Sequence, residues 1–331
     1  MMTASKHPLR WALLLALSLI GCARIAPQKP TLVFMAGYRP QANLPFVGVY
    51  MADAQGFFED ENLNVEIRHS AGGGEHMQLL VAGKVHVTTQ DAAVLLKRRA
   101  APGLPLVSLA LIGQRGQQAF VALEDGGPES LEGWAGRSIG FKGTPPPDLL
   151  ALLDYAGLSE SEVEMINVGF DPRVLVEGMV DVYPVFASNE PYVLESWGYT
   201  LRQWEPADYG ISTLGLTYVT TEAIIEEQPE ALAGFIRAVL RGIRYAEAHP
   251  EQAVETVLTY TGPETDPDHM LFMLMTELEA AHSAVTDAHG LGWQTEDQWQ
   301  ALFESLMTYE AIEGPVDVSQ VYTDRFLEPV D

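Results

Sequence analysis

Apolar and polar positions fall into blocks whose period switches repeatedly between that of a strand and that of a helix. Residues 31–36 form an apolar run containing Val33 and Phe34 and read as a buried strand. The loop 37–45 follows, and Pro45 suits the first turn of a helix over 45–55 that stops near Gly56. Residues 57–63 turn the chain into 64–69, where apolar and polar side chains alternate as in a strand. Strand, helix and strand in that order predict a parallel βαβ unit. Gly72-Gly73-Gly74 then opens a helix over 75–82, which Gly83 closes. A strand over 85–88, a helix over 90–99 and a buried strand over 104–112 continue the alternation, leading to a crossover at 114–121.

The second half of the pattern echoes the first. Val81-Ala82-Gly83-Lys84-Val85-His86-Val87 matches Val176-Glu177-Gly178-Met179-Val180-Asp181-Val182 at four positions. Each segment reads as a helix end, a glycine cap and a strand start. Each is followed by a polar loop, Thr88-Thr89-Gln90-Asp91 in one and Ser188-Asn189-Glu190 in the other. Between them lie a strand at 138–141, a helix opened by Gly143-Thr144-Pro145-Pro146-Pro147-Asp148 and running to 156, and a strand at 163–168. Residues 214–220 read as a return strand. The rest is helical, over 221–227, 229–248, 250–260, 267–281 and 295–309, with Pro229, Pro250 and Pro267 placed as first-turn residues. The fold class is therefore α/β. It has two lobes, 31–119 plus 213–331 and 120–212, joined by two crossings, with a helical C-terminal extension: a clamshell.

The N-terminus has another purpose. Lys6 and Arg10 precede an apolar run, 11–20, that is half the length of about 20 residues a bilayer-spanning helix needs. It has the form of a signal peptide, residues 1–21. The run ends at Leu19-Ile20-Gly21-Cys22, which resembles the lipobox of bacterial lipoproteins. Cys22 is the only cysteine, so it stands where lipidation needs a thiol, and no intrachain disulfide is available. The expected product is a chain anchored by lipid on Cys22, tethered through 22–30, on the outer (periplasmic) face of the cytoplasmic membrane. Loss of 1–21 removes Lys6 and Arg10, so 19 Lys+Arg and 45 Asp+Glu become 17 and 45, a formal charge of −28. Such a surface repels nucleic acid and anionic headgroups, and argues against a polyanionic ligand.

Tyr38-Arg39-Pro40-Gln41-Ala42-Asn43, Tyr50-Met51-Ala52 and Gly56-Phe57-Phe58 together resemble the opening of one solute-binding family. It groups bacterial thiamine-precursor, sulfonate and riboflavin binding proteins with fungal thiamine-pyrimidine synthases. The riboflavin-binding (RibY-type) lipoprotein branch is the most similar. That likeness rests on Pro40-Gln41-Ala42-Asn43-Leu44-Pro45-Phe46, Thr89-Gln90-Asp91-Ala92 and Gly169-Phe170-Asp171-Pro172-Arg173. The resemblance implies a type II periplasmic-binding-protein clamshell and an ABC permease in the membrane as partner. It implies riboflavin as a transported ligand rather than a cofactor, and binding without turnover. A thiamine pyrimidine precursor is the alternative ligand, and a pyrimidine-synthase-like enzyme the alternative class. The fungal synthases carry a cysteine-rich motif that this chain, with its single Cys22, lacks.

In a clamshell the solute meets loops at the C-terminal ends of parallel strands and the helix N-termini that follow. Flat heteroaromatic ligands need ring faces to stack on, and Tyr38, Phe46, Phe186, Tyr192, Tyr209 and Tyr218 are candidates by position. Amide and polyol edges need short polar groups, for which Gln41, Asn43, Gln90, Asp91, Thr144 and Asn189 qualify. Arg39, Lys142 and Arg173 are the cations near these loops. Each has a plainer reading. Phe46 and Tyr50 lie one helical turn apart, so both can face the sheet. Asp91 and Asp148 suit helix capping, Glu190 before Pro191 suits a surface loop, and the glycine triplet suits an ordinary turn. The histidines are scattered without metal-ligand spacing. No chemical role follows for Gly290-Leu291-Gly292-Trp293.

Overall fold

The computed structural model describes Met1 and residues 29–328. The rest of the expected signal peptide and Cys22 lie outside the described residues. The chain opens with β1 (Thr31–Ala36), α1 (Leu44–Ala54), the single turn α2 (Phe57–Asp60), β2 (Asn64–His69), α3 (Glu75–Val81), β3 (Val87–Asp91), α4 (Ala92–Ala100) and β4 (Leu106–Leu111). It continues through β5 (Gln118–Leu123), β6 (Ser138–Phe141), α5 (Pro147–Tyr155), β7 (Glu164–Asn167), α6 (Arg173–Val176), β8 (Tyr183–Phe186), α7 (Glu190–Ser196) and β9 (Leu201–Trp204). The last part is β10 (Leu216–Thr221) followed by α8 (Glu222–Glu227), α9 (Pro229–Ala248), α10 (Pro250–Thr261), α11 (Pro267–Ala280), α12 (Ala284–His289) and α13 (Glu296–Thr308).

Five strands form one sheet in the order β2-β1-β3-β10-β4. β1 runs parallel to β2 and β3, and β10 runs antiparallel to both β3 and β4. The other sheet pieces repeat this plan. β6 and β7 are parallel, β8 is joined to β6 by the parallel bridge Ile139↔Val182, and β5 is antiparallel to β8 and β9. The order β7-β6-β8-β5-β9 therefore repeats the roles of β2-β1-β3-β10-β4. Each lobe is thus a type II unit with its own apolar core: the first around Phe34, Tyr50, Leu109 and Phe235, the second on the two faces of β5.

The seven-residue echo in the sequence is an echo of structure. After each glycine the N–H of the next residue bonds back into the helix, Lys84 to Leu79 O and Met179 to Val174 O. Then His86 N–H bonds Val33 O, and Asp181 N–H bonds Ser138 O. The side chains at those two positions accept from the same neighbouring strand, Val33 N–H to His86 Nδ1 and Ser138 N–H to Asp181 Oδ2, both at 2.9 Å. Several elements differ from expectation: β5 lies largely in the segment expected as a crossover, β9 and α12 are additional, and the boundary between β3 and α4 shifts. β3 runs on to Asp91 and α4 starts at Ala92, because β10 pairs with β3 as far as Leu216↔Asp91. That partner lies more than a hundred residues away and leaves no local mark on 87–91.

The chain leaves the first lobe after β4 and returns before β10, and these two crossings are bonded to each other. Gly113 N–H reaches Leu216 O at 2.9 Å and Gly215 N–H reaches Gly113 O at 2.8 Å. Gln114 fastens the outgoing crossing to the C-terminal helices. Its Nε2 donates to Leu111 O and Trp293 O, and its Oε1 accepts from Ser283 and Gln298. Gly290-Leu291-Gly292-Trp293 has a packing role here: Gly292 O accepts from Leu111 N–H, and the Gly292 Cα lies close to Ala110 on β4.

Helix α9 crosses α1 at Gly242 over Gly48. A Cβ at Gly242 lands 2.2 Å from Gly48 O and 3.0 Å from Ala52 N. In a free helix Gly→Ala raises stability by up to about 1 kcal/mol. Here the backbones must part, so Gly242→Ala is expected to lower stability by about 2 kcal/mol. A urea midpoint equal to or above the parent's would show that the crossing tolerates the methyl.

Candidate ligand-binding site

The strand ends that the βαβ pattern singles out meet face to face. In the first lobe the loop after β1 carries Gly37 and Tyr38, the loop after β2 carries Ala71 and Gly72, and the end of β3 carries Thr89 and Gln90. The second lobe supplies Lys142 after β6, Phe170 after β7, and Phe186, Ser188, Asn189 and Glu190 after β8. Between them lies a cleft of about 710 Å³, within the usual size of roughly 300–1,000 Å³ for small-molecule sites. The repeated topology builds the same three strand ends twice and turns them toward each other.

Three rings stand free at this cleft: Tyr38 is 43%, Phe186 38% and Phe170 80% exposed. Tyr38 is held by its neighbours. Gly37 N–H donates to Thr89 Oγ1 at 2.9 Å, and the Tyr38 ring lies against Gly72, where a Cβ would fall 2.6 Å from the ring. Gly72 also has φ of +97°, which only glycine adopts without strain. The glycine triplet read as an ordinary turn is therefore what makes room for Tyr38. Phe46 lines the floor at 2% exposure.

The polar lining is largely committed within the protein. Gln41 donates to Asn43 Oδ1, and Asn43 donates to Glu277 on α11. Glu277 also accepts from Leu44 N–H at 2.6 Å, at the start of α1, and from Ser188 Oγ at 3.3 Å. It therefore ties the first lobe to the second, and burial pushes its carboxyl up to about 7. Gln90 Oε1 accepts from Asp91 N–H, and its Nε2 lies 3.5 Å from His76 Nε2. In the second lobe Lys142 donates to Glu190 Oε1 at 2.8 Å, and Phe186 N–H donates to Glu190 Oε2 at 2.7 Å. Glu190 is 7% exposed; it is a fixed wall residue, not the surface-loop residue its sequence context suggests. Lys142 Nζ lies 5.1 Å from the Phe170 ring centre and 5.0 Å from that of Tyr183.

Tyr38, Gln41, Asn43, Phe46, Gln90, Phe186 and Asn189 thus line the cleft. Five other candidates do not. Tyr218 is fully buried in the core of the first lobe, packed on Phe34 and Phe235 with its hydroxyl on Pro45 O at 2.6 Å. Tyr209 packs edge-on against Tyr155 beside the second core. Tyr192 stacks on His269 at 4.7 Å and donates to Asp266 at 3.0 Å, joining α7 to α11. Thr144 is exposed, because the loop is fastened by paired bonds between Gly143 and Asn167 that leave it pointing outward. Asp91 caps α4, accepting from Ala93 and Val94 N–H.

Asp91 belongs to a second, smaller cavity of about 320 Å³ behind Phe186 and Gln118, where Asp148, Lys97 and Leu302 also lie. Asp148 does not cap α5; the N-cap position is Pro146. Burial pushes Asp91 up to about 6, while burial and the Asp91 charge push Asp148 up to about 7. Sequence reading missed Lys142 and Glu190 as a pair, and Phe170 as a wall. Phe170 had a signal, since it sits in Gly169-Phe170-Asp171-Pro172-Arg173 at a strand end.

Residues 43–253 match the model of a family described as NMT1/THI5 like. The chain belongs to the NMT1/THI5-like family. Among its relatives, the riboflavin-binding protein RibY of Chloroflexus aurantiacus is 27% identical, over 95% of this chain and 96% of its own. The formylaminopyrimidine-binding protein of Halalkalibacterium halodurans is 26% identical, over 88% and 89%. A further relative, named 4-amino-5-hydroxymethyl-2-methylpyrimidine phosphate synthase, of Legionella pneumophila, is 22% identical, over 84% of this chain and 87% of its own. The crystal structure of the periplasmic aliphatic sulphonate binding protein SsuA from Escherichia coli superposes with a TM-score of 0.68 at 13% identity, over 92% of this chain and 94% of that one. The fold of this NMT1/THI5-like chain is accordingly that of a periplasmic binding protein.

Proposed function

We propose that the protein is the extracytoplasmic solute-binding component of an ABC importer, a lipoprotein anchored through Cys22, and that it captures riboflavin or a close flavin between its lobes. The observation that carries this reading is the set of exposed aromatic rings, Tyr38 from one lobe with Phe170 and Phe186 from the other, around a cleft large enough for a fused ring system. The likeness to the Chloroflexus aurantiacus riboflavin-binding protein along almost the whole chain supports the same ligand class. Binding shifts an open–closed equilibrium toward the closed form, by as much as the ligand prefers it. The role is capture and release; the two lining charges, Lys142 and Glu190, are bonded to each other rather than poised on a reacting atom.

A second reading keeps the role and changes the ligand to a thiamine pyrimidine precursor, favoured by the almost equal likeness to the formylaminopyrimidine-binding protein. Titrating the chain from residue 23 onward into riboflavin, with flavin fluorescence as the signal, decides between them. Saturable quenching at one site per chain is the expected result. A flat titration removes the flavin, and calorimetry with formylaminopyrimidine then tests the pyrimidine.

A further inference from the structure

Among the described residues lining the cleft, Lys142 and Glu190 are the only charged ones, and each is spent on the other. Their side chains are 19% and 9% exposed, so solvent does little to screen either. Glu190 is held at both oxygens, by Lys142 Nζ on one and Phe186 N–H on the other. Lys142 is flanked by the faces of Phe170 and Tyr183. Of the other cations that sequence position suggests, Arg39 is exposed and outside the lining, its guanidinium 5.9 Å from the Tyr38 ring centre, and Arg173 is paired with Asp171 on the surface. Beneath the floor Glu277 presents another carboxyl to Asn43 and Ser188. Among the described lining residues an anion therefore finds neutral amides, hydroxyls and ring faces, no unpaired cation and a fixed carboxylate.

We propose that Glu190 is the specificity residue that keeps anionic ligands out, by neutralising Lys142, so that the cleft takes an uncharged ring system and rejects its phosphorylated counterpart. This deepens the reading above and rests on the same cleft being the ligand site. Like charges brought together in a desolvated site are strongly unfavourable, whereas an unpaired lysine is a phosphate binder. The choice between a vitamin and its phosphate ester would then be made by one carboxylate.

The test compares riboflavin with riboflavin 5′-phosphate on the parent protein, on Glu190→Gln, and on Glu190→Gln combined with Lys142→Gln. Glutamine keeps an acceptor for Phe186 N–H, and circular dichroism checks the fold of each variant. The parent is expected to prefer the uncharged flavin by at least about tenfold, and Glu190→Gln to bind the phosphate at least about tenfold more tightly than the parent does. The ratio of phosphate to riboflavin affinity is the quantity that should rise in Glu190→Gln, and that gain should vanish in the double variant. Equal binding of both flavins by the parent, no gain in Glu190→Gln, or a gain that survives loss of Lys142 overturns the proposal. If neither flavin binds the parent, the flavin reading fails by itself. The charge rule is then read with inorganic phosphate by ³¹P line broadening. Lys142-dependent binding to Glu190→Gln, absent in the parent, supports it; no difference between the two overturns it.

Discussion

Acidifying the protein from pH 8 to pH 5 is expected to strengthen the contribution that three buried carboxyls make to its stability. Asp91, Asp148 and Glu277 hold their protons in the folded chain up to about 6, about 7 and about 7, against ordinary values of 3.8, 3.8 and 4.5. Burial is the largest cause in each. The unfolded chain releases these protons as pH passes about 4 to 4.5, while the folded chain keeps them to near pH 7. At these three groups the folded state binds more protons through that window, so their contribution falls as pH rises and levels off above about 7; His69, His76, His86 and His269, held neutral by burial, contribute with the opposite sign. Asp148 is the clearest case, because it faces Asp91 across the seam between α5 and α4, with Lys97 the one cation among the described residues lining the shared cavity. Asp148→Asn removes the penalty and is expected to stabilise the protein at pH 8 by on the order of 2 kcal/mol, with little effect at pH 4. Urea unfolding of parent and variant at both pH values checks this. A variant no more stable than the parent at pH 8 would mean that the cavity hydrates Asp148 well enough to ionise it freely.

Truncating the two free rings on opposite walls is expected to cost affinity without costing stability. Phe170 is 80% exposed and Tyr38 43% exposed, so their removal leaves the cores untouched. Each stacked ring contributes about 0.5–1.5 kcal/mol beyond the area it covers. Phe170→Ala and Tyr38→Ala should therefore each weaken riboflavin binding by about tenfold, and the double variant by about a hundredfold if the walls act independently. Tyr218→Ala is the contrasting control. Its ring is fully buried against Phe34 and Phe235, and its loss should lower stability by about 3–5 kcal/mol. Fluorescence titrations beside thermal melts separate the two effects. A Phe170→Ala protein that binds as tightly as the parent would remove Phe170 from the ligand wall.

Glu277 illustrates why part of the site escaped the sequence. It lies in the middle of a regular helix, α11, with nothing local to distinguish it from an exposed glutamate. Its partners Asn43 and Ser188 lie 234 and 89 residues away. Tyr218 carried a signal that misled. A tyrosine on the return strand has the right composition for a wall, but side chains alternate across a strand, and the one at 218 faces α1 and α9. Tyr192 and Asp91 misled in another way. Both stand at the expected strand-end loops, yet one is drawn to His269 and Asp266 on a helix far along the chain. The other is drawn to the amides of its own helix.

What the sequence determined by itself was everything written in local period and local chemistry. The alternation of strands and helices, the proline starts and glycine stops, the repeat at 81–87 and 176–182, and the strand-end loops around the cleft all follow from backbone geometry within a few residues. The tertiary structure alone decided which of those loop side chains turn inward and which charges meet. Lys142 and Glu190 are 48 residues apart, and Asp91 and Asp148 belong to different lobes. A pattern of periods records which face of an element is apolar; it carries no record of which distant element that face will meet. The pairing that sets the charge of the cleft arises only when the second lobe brings the ends of β6 and β8 together.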